Sequence, residues 1–169
     1  MEKKDLTGIY QIQSKIKPNI LLIKVRDFAS LKNSSFKREK DLRKYIVDNI
    51  IQFTEDILDD VYISHKEEQE FSKKYHLGLS RRVDLLIYGE NNLYIVELKN
   101  PRYQSENRGA IGQLLCYGQE FLDSKKRLVL ISTKFDIHTA TAIQHYKLPI
   151  RYIYFDKDKC IEFIEIPKK

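Results

Sequence analysis

The stretch RRVDLLIYGENNLYIVELKN, residues 81–100, decides the fold of this chain. Two apolar runs flank the turn-forming residues GENN (89–92), a combination typical of a β-hairpin. The pattern therefore predicts two antiparallel strands, at 81–89 and 93–100. Because side-chain direction alternates along a strand, the register of this hairpin decides which polar residues meet on one face.

Three ionisable side chains interrupt the apolar strands of the hairpin. Side chains at positions i and i+2 point the same way, so Glu97 and Lys99 emerge together while Leu98 points into the core. The short turn places Asp84 opposite about residue 97, and therefore beside this pair. An acidic side chain in an apolar run is costly unless it is paired or bound to a metal.

Two neighbouring carboxylates form an oxygen-lined site that suits Mg²⁺ or Mn²⁺. Asp84 and Glu97 would supply the carboxylates, and the backbone carbonyl of Leu98 offers a third oxygen. A metal at this place would hold a scissile phosphate and lower the pKa of a bound water. Lys99 would position or deprotonate that water, or offset the charge that builds on the phosphate.

The sequence around the hairpin predicts an α/β domain with a mixed central sheet flanked by helices. Residues 1–30 are expected to form an N-terminal β-hairpin extension, and residues 31–169 the main domain. Apolar residues at helical spacing predict a helix at 36–53, with its N-cap at Ser34-Ser35. The other predicted elements are a strand at 61–71, a helix at 106–123, a strand at 127–133, a short helix at 137–146, and strands at 149–155 and 160–166.

The composition narrows the class of protein. With 169 residues, 42% of them hydrophobic, the chain can bury a core of its own. No apolar run approaches the ~18 residues of a membrane span, and the N-terminus lacks the apolar segment of a secretory signal. Cys116 and Cys160 have no ligand spacing and fit a reducing compartment, so we expect a cytoplasmic protein. The net charge of +6 favours an anionic partner such as nucleic acid.

The hairpin motif resembles a known family. The run VDLLI followed by VELK is similar to the core motif of the PD-(D/E)xK nuclease superfamily, with Asp84, Glu97 and Lys99 as its triad. Within the superfamily, the likeness is greatest to the branch of NucS-type and related repair or resolvase-like endonucleases. The resemblance implies a restriction-endonuclease-like core and a divalent-metal-dependent nuclease that hydrolyses phosphodiester bonds in DNA.

Two further segments extend the resemblance on either side of the hairpin. FKREKDLRKYIVDN is similar to the first core helix of the superfamily, whose acid corresponds to Glu39. AIGQLLCYG is similar to its downstream helix, with Gln113 supporting the site and Tyr117 accompanying it. With Mg²⁺ or Mn²⁺ as cofactor, the implied metal ligands are Glu39, Asp84, Glu97 and the Leu98 carbonyl. The implied catalytic residues are Glu39, Asp84, Glu97, Lys99 and Gln113.

Basic residues near these motifs are candidates for contacts with nucleic-acid phosphates, which make binding salt-dependent. They are Arg81, Arg82, Arg102, Arg108 and Lys37. The sheet edges and the N-terminal hairpin predict a homodimer, with two active sites in one assembly. Two alternatives share the fold: a non-catalytic module that binds nucleic acid, and a small regulatory or assembly protein whose hairpin binds a partner.

Overall fold

The computed structural model describes residues 9–13, 20–28, 36–70, 82–103, 105–121, 123–156 and 159–164. Its strands are β1 (Ile9–Gln13), β2 (Ile20–Asp27), β3 (Tyr62–Glu70), β4 (Arg82–Gly89), β5 (Leu93–Lys99), β6 (Lys126–Ser132), β7 (Ile150–Asp156) and β8 (Lys159–Ile164). Its helices are α1 (Glu39–Asp48), α2 (Ile50–Gln52), α3 (Glu106–Glu120) and α4 (Ile137–His145), with a π-helical turn at Phe53–Ile57.

All the strands join one eight-stranded sheet in the order β1-β2-β8-β7-β6-β5-β4-β3. The pairs β5–β6 and β6–β7 are parallel, and the other neighbouring strands are antiparallel. Parallel neighbours need a crossover connection, which α3 and α4 provide. The predicted α/β class, with a mixed sheet flanked by helices, is confirmed.

A hydrophobic core covers each face of the sheet. On one face, α1 and the π-helical turn contribute Leu42 and Phe53, which belong to the same core as Leu98. On the other face, Leu114 of α3 and Ile143 of α4 cover the sheet. Because β6 lies between these two layers, its run LVLI is buried on both sides, as a continuous apolar strand predicts.

The first helix differs from the prediction at both ends. It begins at Glu39 with Arg38 as N-cap, and the Arg38 amide donates to Asp41 Oδ2 at 3.0 Å. The predicted caps, Ser34 and Ser35, lie outside the described residues. At the other end, α1 stops at Asp48, where Asn49 caps it with φ −120° and ψ 26°, and α2 and the π-helical turn carry the chain on to Ile57, which is fully buried.

A buried carboxylate fixes the turn of the central hairpin. Asp60 accepts hydrogen bonds from the backbone and side-chain amides of Asn91 and Asn92, at 3.0–3.1 Å, and from the Tyr94 hydroxyl at 3.1 Å. Burial alone would raise the pKa of Asp60, but the Asn91, Asn92 and Tyr94 donors lower it to about 2. A side chain at position 89 would collide with this carboxylate, so the turn requires Gly89.

The N-terminal hairpin is part of the same sheet, because β2 pairs with β8 from Leu22 to Asp27. Arg26 of β2 also binds the end of the π-helical turn, donating to the carbonyl oxygens of Asp56 and Ile57 and pairing with Asp59 at 2.6 Å. Within the described segments, no helix is long and apolar enough to cross a membrane. Cys160 is buried, Cys116 is half-buried, and both are free thiols.

Candidate active site

The central hairpin brings Asp84 and Glu97 next to each other, as its predicted register requires. The ladder between β4 and β5 ends at the pair Leu85–Val96, and the next position of that register joins Asp84 to Glu97. Asp84 Oδ2 accepts a hydrogen bond from the Leu98 amide at 2.8 Å. The carboxylate therefore serves as the partner of a strand amide at the point where the ladder between the strands ends.

Glu97 and Lys99 form a close pair at the end of β5. Lys99 Nζ lies 2.5 Å from Glu97 Oε1, whereas Glu97 Oε2 is buried and has no hydrogen-bond partner among the described residues. Burial raises the pKa of Glu97 to about 7, and the nearby charge of Asp84 adds to this effect. A buried oxygen without a donor is costly, and such a group calls for a ligand or a function.

Lys99 is held in its charged form by the acids around it. Burial alone would lower its pKa, but the carboxylates of Glu97, Glu39 and Asp84 more than compensate and raise it. The Lys99 side chain is only 16% exposed, and its Nζ lies 3.9 Å from Glu39 Oε2. Lys99 therefore joins the hairpin acids to the first turn of α1.

Glu39, the first residue of α1, lies at the open side of this cluster. Its side chain is 45% exposed. Partial burial raises its pKa and the charge of Asp84 adds to the rise, while Lys99 and the Asn100 amide act in the opposite direction. The structure thus brings together Glu39, Asp84, Glu97 and Lys99, four of the five residues that the sequence marked as catalytic.

The donor set of this cluster fits a hard divalent cation. Across the described part of the chain, no three Asp, Glu, His or Cys side chains form a ready-made metal cage. Mg²⁺, however, is usually held by one or two carboxylates, with waters and substrate phosphate completing its shell. Asp84 supplies one carboxylate, and Glu97 supplies another, one oxygen of which lacks a donor in the described part of the chain.

The fifth predicted residue, Gln113, is exposed on α3. No hydrogen bond joins it to the carboxylates or to Lys99 within the described residues, so its role in the site stays a prediction. Tyr117, one turn later, is buried in the core between α3 and the sheet, and its hydroxyl donates to the Arg82 carbonyl at 2.9 Å.

Of the five predicted phosphate-binding cations, two are paired with acids, two have exposed side chains and one lies outside the described residues. Arg82 pairs with Glu68 and Glu70 of β3, and Arg108 Nε lies 3.4 Å from the buried carboxylate of Asp136. Arg102 and Lys37 have exposed side chains. Arg81 lies outside the described residues.

Sequence reasoning missed one cation near the site, Arg43. It follows Glu39 by one helical turn and lies close enough to Asp84 and Glu39 to lower the pKa of each. Even so, the pKa of Asp84 is raised overall, because burial is the largest influence on it. The signal for Arg43 was its four-residue spacing from Glu39, which puts both side chains on the same face of α1.

Comparisons with known proteins give two similar structures. No family model matches the chain, and no curated protein matches it. A crystal structure of a repair endonuclease from Pyrococcus abyssi aligns over 92% of this chain, with 13% identity and a TM-score of 0.45. The structure of an EndoMS–dsDNA complex aligns over 95%, with 16% identity and a TM-score of 0.41. The chain spans 66% of the length of each of these proteins.

Proposed function

We propose that this protein is a divalent-metal-dependent nuclease that hydrolyses phosphodiester bonds in DNA. The observation that carries the proposal is the buried Glu97 oxygen, next to Asp84 and Lys99, that finds no hydrogen-bond donor within the described ranges. A structural carboxylate at this depth would be expected to have its hydrogen bonds complete. Instead, the carboxylates of Asp84 and Glu97 and the ammonium of Lys99, at the end of β5, would suit the binding of a cation and a phosphate.

Asp84, Glu97 and the Leu98 carbonyl would hold the cation, with Glu39 at the open side. A bound Mg²⁺ or Mn²⁺ would polarise the phosphate and lower the pKa of the attacking water. The Asp84–Leu98 hydrogen bond fixes the orientation of the Asp84 carboxylate before any ligand arrives. Such preorganisation of the charged groups is the main protein contribution to this type of catalysis.

Lys99 would act as a cation in this reaction. Its raised pKa favours the ammonium form, which has no lone pair to accept a proton. Its N–H groups would orient the attacking water and stabilise the charge that develops on the phosphate. Between the two roles open to it from the sequence, the electrostatics of the site favour positioning over deprotonation.

A cleavage panel tests this proposal. Wild type and the variant Asp84→Asn, whose amide oxygen still accepts from Leu98, would be incubated with labelled single-stranded, duplex, flap and four-way-junction DNA, and with RNA. Each reaction would contain Mg²⁺, Mn²⁺ or EDTA. We expect metal-dependent cutting that the variant reduces by about 10²-fold or more.

The matched control is Glu90→Gln, which removes an exposed acid from the turn of the same hairpin, away from Asp84. It should cut like wild type. Strong cleavage by purified Asp84→Asn would refute the assignment. Salt-sensitive DNA binding without cutting by wild type would support the non-catalytic binding module instead.

We also propose that the protein forms a homodimer. Two sites in one assembly would suit cutting of both strands or of a branched substrate. Light scattering after size-exclusion chromatography, with and without DNA, is expected to give the mass of two chains. A single-chain mass under both conditions would contradict it.

A further inference from the structure

Arg43 is held by two glutamates of the edge strand β3. Its Nε lies 3.3 Å from Glu67 Oε2, and its Nη1 lies 2.9 Å from Glu68 Oε1. The Arg43 side chain is 20% exposed, whereas both glutamates are 44% exposed. A largely covered arginine side chain thus has partners that can turn out into water.

Arg43 also lines an open groove between α1 and β3. The groove has a volume of about 570 Å³, and Arg38, Lys40 and Lys44 lie along it with Arg43. Arg38 and Lys44 are paired with acids of their own helix, and their side chains are more than half exposed. The groove is therefore accessible from solvent and carries several cations that can exchange partners.

Glu68, which binds Arg43 of this groove, also lies beside the candidate active site. Its neighbours Glu67 and Gln69 pair with Leu85 and Val83, which places Glu68 beside Asp84 in the sheet. Glu68 adopts φ 47°, a left-handed conformation that is unfavourable for a residue with a side chain. Strained backbone of this kind is concentrated at ligand-binding and catalytic sites.

We propose that Arg43 binds a nucleic-acid phosphate adjacent to the one that is cut, and that Glu67 and Glu68 hold its guanidinium until that phosphate replaces them. The inference rests on the proposed function and adds a substrate-binding residue to it. A guanidinium can donate two parallel hydrogen bonds to a phosphate, as it does to a carboxylate. Both glutamates are half-exposed and can return to water, so a phosphate can take their place on the largely covered arginine.

Binding in EDTA tests this inference independently of cutting. Fluorescence anisotropy would measure the affinity of labelled DNA for wild type, Arg43→Ala, Arg43→Lys and Glu68→Gln over a series of salt concentrations. We expect Arg43→Ala to lower the affinity about 10-fold and to reduce the slope of log K against log salt by about one. Arg43→Lys should lie between, since it keeps the charge and loses the planar fork.

Glu68→Gln should have the opposite effect, raising the affinity several-fold, because it removes an anion that competes with the phosphate. The matched control is Arg127→Ala, which removes an exposed arginine at the start of β6, at the other end of that strand from the site. It should leave the affinity within about twofold of wild type. Thermal unfolding of each variant would verify that it is folded.

Two results would overturn the inference. One is an unchanged affinity and salt slope in folded Arg43→Ala; the other is weaker binding by Glu68→Gln, because the glutamate would then support binding. These results are separate from a failure of the proposed function. A wild type that binds DNA through Arg43 but never cuts with metal would refute the nuclease and leave only the phosphate contact of Arg43 standing.

Discussion

The carboxylate of Glu97 combines two properties that proteins usually keep apart: it is buried, and one of its oxygens has no donor among the residues that the structure describes. Beside it, the Leu98 amide donates a hydrogen bond to Asp84 Oδ2. The sequence could predict that these residues meet, because strand alternation and a short turn decide their positions. The sequence could not predict which Glu97 oxygen lacks a partner among the described residues, since that depends on which oxygen the Lys99 side chain contacts.

We predict that Glu97→Gln raises the stability of the metal-free protein. The pKa of Glu97 is about 7 in the folded chain and 4.5 in the reference state, so above pH 7 the ionised side chain destabilises the fold. A neutral amide of the same shape removes that cost. In EDTA at pH 8, thermal unfolding should show a rise of at least about 2 °C, the shift that ~1 kcal/mol produces in a chain of this size.

The gain should shrink as the pH falls below 7, because wild-type Glu97 then takes up a proton and becomes neutral in the fold. The same variant should lose metal-dependent cleavage, since the amide cannot replace a carboxylate at a cation. An Asp48→Asn variant, altered at an exposed acid of α1, serves as control and should change neither property. A lower unfolding temperature for Glu97→Gln at pH 8 would contradict the prediction.

At the scale of elements, the central hairpin follows from local sequence, while the contacts that fix it do not. Its turn was recognisable from GENN, but the acid that binds this turn, Asp60, precedes β3 and gave no signal of its own. The same holds for Arg43, whose glutamate partners lie on a strand elsewhere in the chain. Local patterns predict elements well; the polar contacts between elements depend on the folded arrangement.

We predict that Asp60→Asn destabilises the protein by about 3 kcal/mol, because a buried carboxylate that accepts several hydrogen bonds is replaced by a group that also donates. Urea unfolding at pH 7 measures the loss. The folded pKa of about 2 lies below the reference value of 3.8, so the contribution of Asp60 is complete above about pH 4 and fades as the pH falls towards 2.

The difference between wild type and Asp60→Asn should therefore narrow over that acid range. Asp48→Asn again provides the comparison, because it removes an acid whose side chain is 56% exposed. An equal loss of stability in both variants would show that the hydrogen bonds of Asp60 to the turn contribute no more to stability than an exposed acid does.

We predict that Gly109→Ala and Gly112→Ala each stabilise α3 by about 0.5–1 kcal/mol, the usual advantage of alanine over glycine inside a helix. A side-chain carbon at either position would meet nothing within 4 Å. Gly118→Ala should gain less or lose stability, because its new carbon would come 3.2 Å from Leu128 on β6. Chemical unfolding of the three variants measures these changes. A lower free energy of unfolding for Gly109→Ala would contradict the prediction.

At the scale of the whole molecule, the site lies where two layers meet. The hairpin contributes Asp84, Glu97 and Lys99, and α1 adds Glu39 from the layer over one face of the sheet. The sequence predicted the order of elements and the mixed sheet, because apolar periodicity reports burial on one or both faces. It placed the start of α1 three residues early, since the cap depends on Asp41 reaching back to the Arg38 amide.

We predict that Mn²⁺ stabilises the whole fold through the candidate site. A ligand that binds only the folded state raises its stability by about 2.7 kcal/mol at a hundredfold excess over Kd, or about 5 °C or more here. Differential scanning fluorimetry should show this shift for wild type and Glu90→Gln, and a much smaller one for Asp84→Asn. A shift of equal size in Asp84→Asn would place metal binding elsewhere in the protein.

The pairing of β2 with β8 has a consequence for how the chain is made. Val25 pairs with Ile161, far along the chain, so β2 cannot complete its pairing until residues 159–164 have been synthesised. Until β8 arrives, β2 and β7 are strands with open hydrogen-bonding edges, a state that is prone to aggregation. A nascent chain is therefore expected to depend on chaperones until β8 has emerged, and one halted before residue 159 to be a target for quality-control proteases.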